Sequence, residues 1–194
     1  LMNEVGRLWL TGSRLPPACE PVFQAWKQAG YMTSDMVWAR IQLAMEKRNL
    51  TLAEGLARYL EPAERVWVSR WLAMHRNPQQ ELKNLRYPVE TLAARRIVRH
   101  GIVRVGYSDP DQAMQLWKLL KGEHEFFGED ENYVLRHLGL LAAQDHHPRA
   151  VEWLSAVSAD AGDENLRHWR VRAAIRNGEW QTGLRFHAAL TGPE

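Results

Sequence analysis

The sequence predicts an all-α chain, a superhelix of degenerate helix pairs of the α-solenoid kind. Three observations carry that prediction. No stretch sustains the period-2 alternation with β-branched residues that a half-buried strand requires. Helix caps and breakers recur along the chain. In the second helix of successive pairs, a small residue stands about one turn before an aromatic one: Ala113 before Trp117, Ala150 before Trp153, Gly183 before Phe186. The small residues lie 37 and then 33 residues apart, and a helix–turn–helix period of about 30–40 residues marks stacked repeats. Ala53, ahead of Leu56-Ala57 and Tyr59, reads as an earlier copy. No strict tetratricopeptide consensus is present, and an irregular helical bundle is the alternative.

The elements follow in order. Thr33-Ser34-Asp35 caps a helix to about Arg48, with Val37, Ile41, Ala44 and Met45 on one face. Thr51 with Glu54 forms a capping-box pattern for a helix ending near Leu60. Glu61-Pro62 opens the next, since proline is tolerated in a first turn; Asn77-Pro78 ends it near Arg76, and a short helix follows through Leu82. Pro88 opens a longer helix to about Gly106, with Ala94, Ile97, Val98, Gly101, Ile102 and Val105 on its apolar face. Gly101 there predicts a close approach by a neighbouring helix. Asp109-Pro110 starts a helix to about Leu120, and Gly128 to Asp130 separates it from one over Glu131 to Ala143. His147-Pro148 starts another to about Val157; Asp163 starts one that Asn177-Gly178 stops; the last runs from Glu179 to about Leu190.

Composition bounds the function. The 194 residues are 45% hydrophobic and 25% charged, enough for a core in a water-facing protein. No apolar run approaches the roughly 18 residues of a membrane span. A net charge of +2 gives no basis for nucleic-acid binding. The nine tryptophans are spread evenly, which predicts packing between helix layers rather than a gathered sugar platform. The single cysteine, Cys19, and a helical pattern that opens without an initiator Met predict a segment of a longer protein, read here as one α-superhelical fragment over 1–194.

Leu8-Trp9-Leu10-Thr11-Gly12, then Pro17-Ala18-Cys19, then Phe23, Trp26, Ala29 and Gly30 resemble the N-terminal region of soluble lytic murein transglycosylases. Arg40-Ile41 and Leu43-Ala44-Met45 continue the likeness, and Arg170 to Ile175 followed by Asn177-Gly178 repeats it more weakly. The resemblance implies a right-handed superhelix like that family's U-shaped domain. It also implies a periplasmic parent that cleaves the β-1,4 bond between N-acetylmuramic acid and N-acetylglucosamine of peptidoglycan, leaving 1,6-anhydromuropeptides. The family's catalytic Glu-Ser and Gly-Leu-Met-Gln segments are not in this chain. The expected role is therefore a non-catalytic scaffold that works with linker and catalytic domains elsewhere. Cys19 matches a family cysteine whose partner lies in a preceding helix, which leaves Cys19 as an orphaned disulfide half.

The chemical constellations are weak. Three adjacent acids, Glu129, Asp130 and Glu131, lack the opposed geometry of glycosidase carboxylates and read as acids at a helix N-terminus. Asp145, His146 and His147 have poor ligand spacing, so no metal site is assigned, and no cofactor motif is present. Cys19 lacks the partner pattern of a nucleophile. Arg95, Arg96, Arg99 and Arg104, joined by His100, form a basic stripe opposite the apolar face of their helix. Such a stripe could face the stem-peptide carboxylates of a glycan strand, although a solvated helix face is the plainer reading. A helical-repeat adaptor for protein partners is the alternative function. Oligomeric state is not legible.

Overall fold

The computed structural model describes residues 2–159, 161 and 163–191, and all regular structure among them is helical. Twelve α-helices follow in order: α1 Met2–Trp9, α2 Glu20–Gln28, α3 Ser34–Glu46, α4 Leu50–Leu56, α5 Pro62–Arg76, α6 Pro78–Lys83, α7 Leu92–Gly106, α8 Pro110–Glu123, α9 Gly128–Gln144, α10 Ala150–Ser155, α11 Glu164–Arg176 and α12 Trp180–Thr191. None is long and apolar enough to cross a membrane. The chain forms two compact units, Leu1–Ala73 and Met74–Glu194.

Local chemistry sets the helix ends. The Thr33 hydroxyl accepts from the Met36 amide, Asp109 from Gln112, and Asp163 from Leu166, as their sequence positions predict. Four starts differ from expectation: α10 begins at Ala150, after Arg149, rather than at His147-Pro148, and the other three have a side-chain cause. α4 begins after Asn49, not at Thr51, because the Asn49 side chain accepts from the Leu52 amide. α7 begins after Thr91, not at Pro88, because the Thr91 hydroxyl accepts from the Ala94 amide. α9 begins at Gly128 rather than Glu131, because the Asp130 carboxylate reaches back to the Phe127 amide.

In the first unit, Trp9 and Trp26 meet with ring centroids 5.8 Å apart, and the predicted face of α3 (Val37, Ile41, Ala44, Met45) is buried. The loop after α1 lies against α3. A Cβ on Gly12 would sit 2.2 Å from the Leu43 carbonyl oxygen, so only glycine permits this approach. The loop is tied down by Asn49, whose Nδ2 donates to the Gly12 carbonyl, and by Arg40, whose Nε donates to the Thr11 carbonyl.

The second unit shows repeat order. α7 packs on α8, α9 on α10 and α11 on α12, while α7, α9 and α11 contact one another in sequence. The small-before-aromatic positions fall on α8, α10 and α12. Ala113, Trp117, Ala150 and Trp153 are buried there, Gly183 is buried and Phe186 is half-buried. Gly101 makes the predicted close approach, since a Cβ there would meet Met74 Sδ at 2.3 Å. Of the nine tryptophans, Trp9, Trp26, Trp71, Trp117 and Trp153 are buried, whereas Trp180 is 65% exposed at the start of α12.

Candidate functional site

The predicted basic stripe is not an open face. α7 is buried nearly all round, and Arg95 and Arg99 go inward with it, at 7% and 8% exposure. They converge on Asp130 of α9, which is fully buried. Arg95 Nε donates to Oδ2 at 3.0 Å, and Arg99 donates to Oδ1 at 2.9 Å. Oδ2 also accepts the Phe127 amide at 3.2 Å. Arg95 lies over the Phe127 ring and Arg99 over the Tyr133 ring, at 4.5 and 4.4 Å. The reason is topological. α7 contacts α6, α8 and α9, so its polar side faces protein and its charges must be answered where they stand.

The other members of the stripe separate. Arg96 is half-buried; its Nε has no hydrogen-bond partner among the described residues. Its pKa is held below the ordinary arginine value, first by burial and then by Arg99. Arg104 donates to the His75 carbonyl. His100, expected on the solvated side, is buried against His75, with Nε2 and Nδ1 3.0 Å apart. The solvated-face reading therefore fails for Arg95, Arg99 and His100.

The three adjacent acids also separate. Glu131 pairs with Lys121, Glu129 is exposed beside Arg96, and Asp130 is enclosed. Asp130 does sit in the first turn of α9 as predicted, but its second role as counter-ion to α7 was not read from the sequence. Asp145, His146 and His147 do not converge. His147 Nε2 meets Asp111 at 3.0 Å, its Nδ1 accepts the Arg149 amide, and its ring stacks on Trp153. No group of three His, Cys, Asp or Glu suited to a metal occurs among the described residues. Cys19 ends a 3₁₀ turn, Pro17–Cys19, ahead of α2, is half-buried and carries a free thiol.

One site escaped the sequence reading. In the first unit, α2, α3, α4 and the loop after α1 enclose a cleft of about 280 Å³. Arg14, Lys27, Arg40 and Arg58 line it together with one acid, Glu20. Arg40 is 5% exposed. Its guanidinium lies over the Trp9 ring at 4.5 Å, and its Nε donates to the Thr11 carbonyl at 3.2 Å. Burial lowers its pKa from the usual value, opposed by the charges of Tyr59 and Glu20. Lys27 and Arg58 lie over the Tyr59 ring at 4.1 and 4.7 Å. Only the enrichment of cations near Tyr59 could have signalled this site from sequence. The residues are scattered from 9 to 59, and only the folded loop brings them together.

No family model matches the chain. Among curated proteins, the chain is 25% identical over 174 residues to the soluble lytic murein transglycosylase of Escherichia coli strain K12, covering 89% of this chain and 27% of that protein. The Salmonella typhimurium strain LT2 soluble lytic murein transglycosylase is 24% identical over 175 residues, with the same coverage of both. The chain thus spans about a quarter of the length of these relatives. Among solved structures, an inactive variant of lytic transglycosylase Slt from Pseudomonas aeruginosa superposes with a TM-score of 0.83 at 28% identity, covering 99% of this chain and 32% of that one. The 70-kDa soluble lytic transglycosylase from Escherichia coli superposes at 0.57 with 18% identity, covering 100% of this chain and 37% of that one, a likeness of fold. The resemblance read in the first 45 residues therefore extends over most of the chain.

Proposed function

We propose that this chain is a non-catalytic scaffold segment of a periplasmic peptidoglycan lytic transglycosylase. One observation carries the reading: nearly the whole chain has the fold of about a third of a lytic transglycosylase. In the proposed whole protein, one carboxyl group protonates the glycosidic oxygen between N-acetylmuramic acid and N-acetylglucosamine. It then takes the proton of the C6 hydroxyl as that oxygen closes on C1, so the product is a 1,6-anhydro sugar and no water is consumed. That step needs a carboxyl group open to the scissile bond. The acids that the sequence gathers at Glu129–Glu131 are instead divided between a buried ion pair, a surface pair and an exposed position. The proposed role of this chain is to hold the glycan strand while another domain reacts.

The test is incubation of the purified chain with murein sacculi, followed by chromatography of the soluble fraction. The chain is expected to release no anhydromuropeptides and to sediment with the sacculi. Release of anhydromuropeptides would overturn the scaffold role. A second reading, a helical-repeat adaptor, rests on Trp180 and Leu184, one turn apart on α12 and 65% and 69% exposed. A stable protein complex formed without glycan, together with failure to sediment with sacculi, would favour it.

A further inference from the structure

Arg40 is a buried cation with no carboxylate at ion-pair distance among the described residues. Its Nε is used by the Thr11 carbonyl. Its two outer nitrogens, with four N–H donors, have no hydrogen-bond partner among the described residues, and no carboxylate there comes within ion-pair distance. Glu20, the one acid lining the cleft, is exposed and accepts from Gln24. A guanidinium largely removed from water, even with its outer nitrogens still reached by solvent, is unfavourable unless charge is supplied to it. Arg14, Lys27 and Arg58 line the same cleft, so its cations outnumber its one acid, Glu20, whose charge only partly offsets the burial of Arg40. A concave site with that excess concentrates anions.

The fork of a guanidinium fits a carboxylate or a phosphate through paired hydrogen bonds. The rest of the cleft selects between them. Phe23, Met32, Leu52 and Leu56 add apolar lining, which suits an anion attached to an organic body rather than a bare ion. The volume of about 280 Å³ falls at the small end of ligand sites, which run from about 300 Å³ upward. It admits one sugar ring or a dipeptide.

We propose that this cleft binds a carboxylate-bearing ligand, its carboxylate on Arg40 and its body against Phe23. The assignment of its source, the stem peptide of peptidoglycan, rests on the murein reading above. Lys27 and Arg14 guide the anion from the rim, and Trp9, beneath the guanidinium, reports its arrival.

The test is titration of the intact chain with a muramyl dipeptide bearing a free carboxylate, with the same compound amidated, with glutarate and with inorganic phosphate. Binding is read by calorimetry and by the indole signal of Trp9 in ¹H–¹⁵N spectra. The free dipeptide is expected to bind and to shift Trp9. Amidation is expected to weaken it about tenfold or more, as loss of a charge-assisted pair implies. Arg40→Gln is expected to weaken it equally. Lys27→Gln alters an exposed residue, so it reads the cleft even if the first variant misfolds, and it is expected to weaken binding about threefold. Equal binding of the amidated dipeptide, phosphate binding as tight as the dipeptide, or an unmoved Trp9 signal with every probe would overturn the proposal. Sedimentation with sacculi separates the two readings. If the chain sediments and the cleft stays silent, the cleft fails alone. If glutarate moves Trp9 but neither the dipeptide nor sacculi bind, the murein source fails.

Discussion

Two buried arginine sites, one in each unit, solve the same electrostatic problem differently. In the second unit, Arg95 and Arg99 share Asp130, and the three side chains use one another's hydrogen-bonding capacity. In the first, Arg40 is as deeply buried but rests on a tryptophan face and one backbone carbonyl, with no acid at ion-pair distance among the described residues. The first arrangement is complete within the protein. The second has donors left over and a cleft in front of them. A closed ion pair of this kind is a structural device, and an open buried cation is a place to look for a ligand.

The contrast between the two sites has quantitative consequences. The largest effect is expected from Asp130→Ala, which leaves two buried guanidinium groups unanswered. Breaking a buried pair from one side costs about 3–5 kcal/mol, to be measured from the urea unfolding midpoint. Gly12→Ala should come next, at about 1–3 kcal/mol, because its methyl group would meet the backbone of α3; it should also displace the Thr11 carbonyl and disturb the Trp9 indole signal.

An exposed pair supplies the baseline. Asp163 caps α11, and its pKa is lowered first by the Leu166 amide and further by Arg136, against the opposing effect of burial. A carboxyl group with a lowered folded pKa stabilises above its unfolded pKa, and that contribution is lost as pH falls through the folded value. Asp163→Ala should therefore cost about 1 kcal/mol near neutral pH, and the difference from the parent should vanish in acid, as followed by thermal unfolding at several pH values. Arg40→Met should have the smallest effect, within about 1 kcal/mol. It removes an unpaired charge and one hydrogen bond but strands no counter-ion. A loss as large as that of Asp130→Ala would show that Arg40 has a structural partner after all and would erase the contrast.

What could be read from the sequence was local. Thr33, Asp109 and Asp163 cap their helices through bonds spanning three residues, and such signals stand in the sequence itself. Gly101 was readable because a glycine in mid-helix weakens the helix, and on an apolar face it gains only where a neighbour needs the room. The basic stripe was misread because the side of α7 opposite its apolar face was assumed to be wet. Its burial depends on α9, whose Asp130 lies 35 and 31 residues from Arg95 and Arg99. Arg40 belonged to a recognisable run, yet its one hydrogen-bond partner among the described residues lies on a loop 29 residues earlier. The residues that carried the resemblance, Leu8 to Gly12, were legible as a likeness. That they lead into the loop whose Arg14 and Leu15 form one wall of the cleft was not.

The attachment of that wall also bears on the order in which the first unit assembles. The loop after α1 is held by side-chain bonds that span 29 and 37 residues of chain. Closing a long loop has an entropic cost that local helix turns do not bear. The wall therefore forms after the helices it leans on, and segments held in this way are among the first to open again. An anion on Arg40 would hold the loop shut by mass action. Slower cleavage by a protease after Arg14 would then report occupancy of the cleft without any need to observe the ligand.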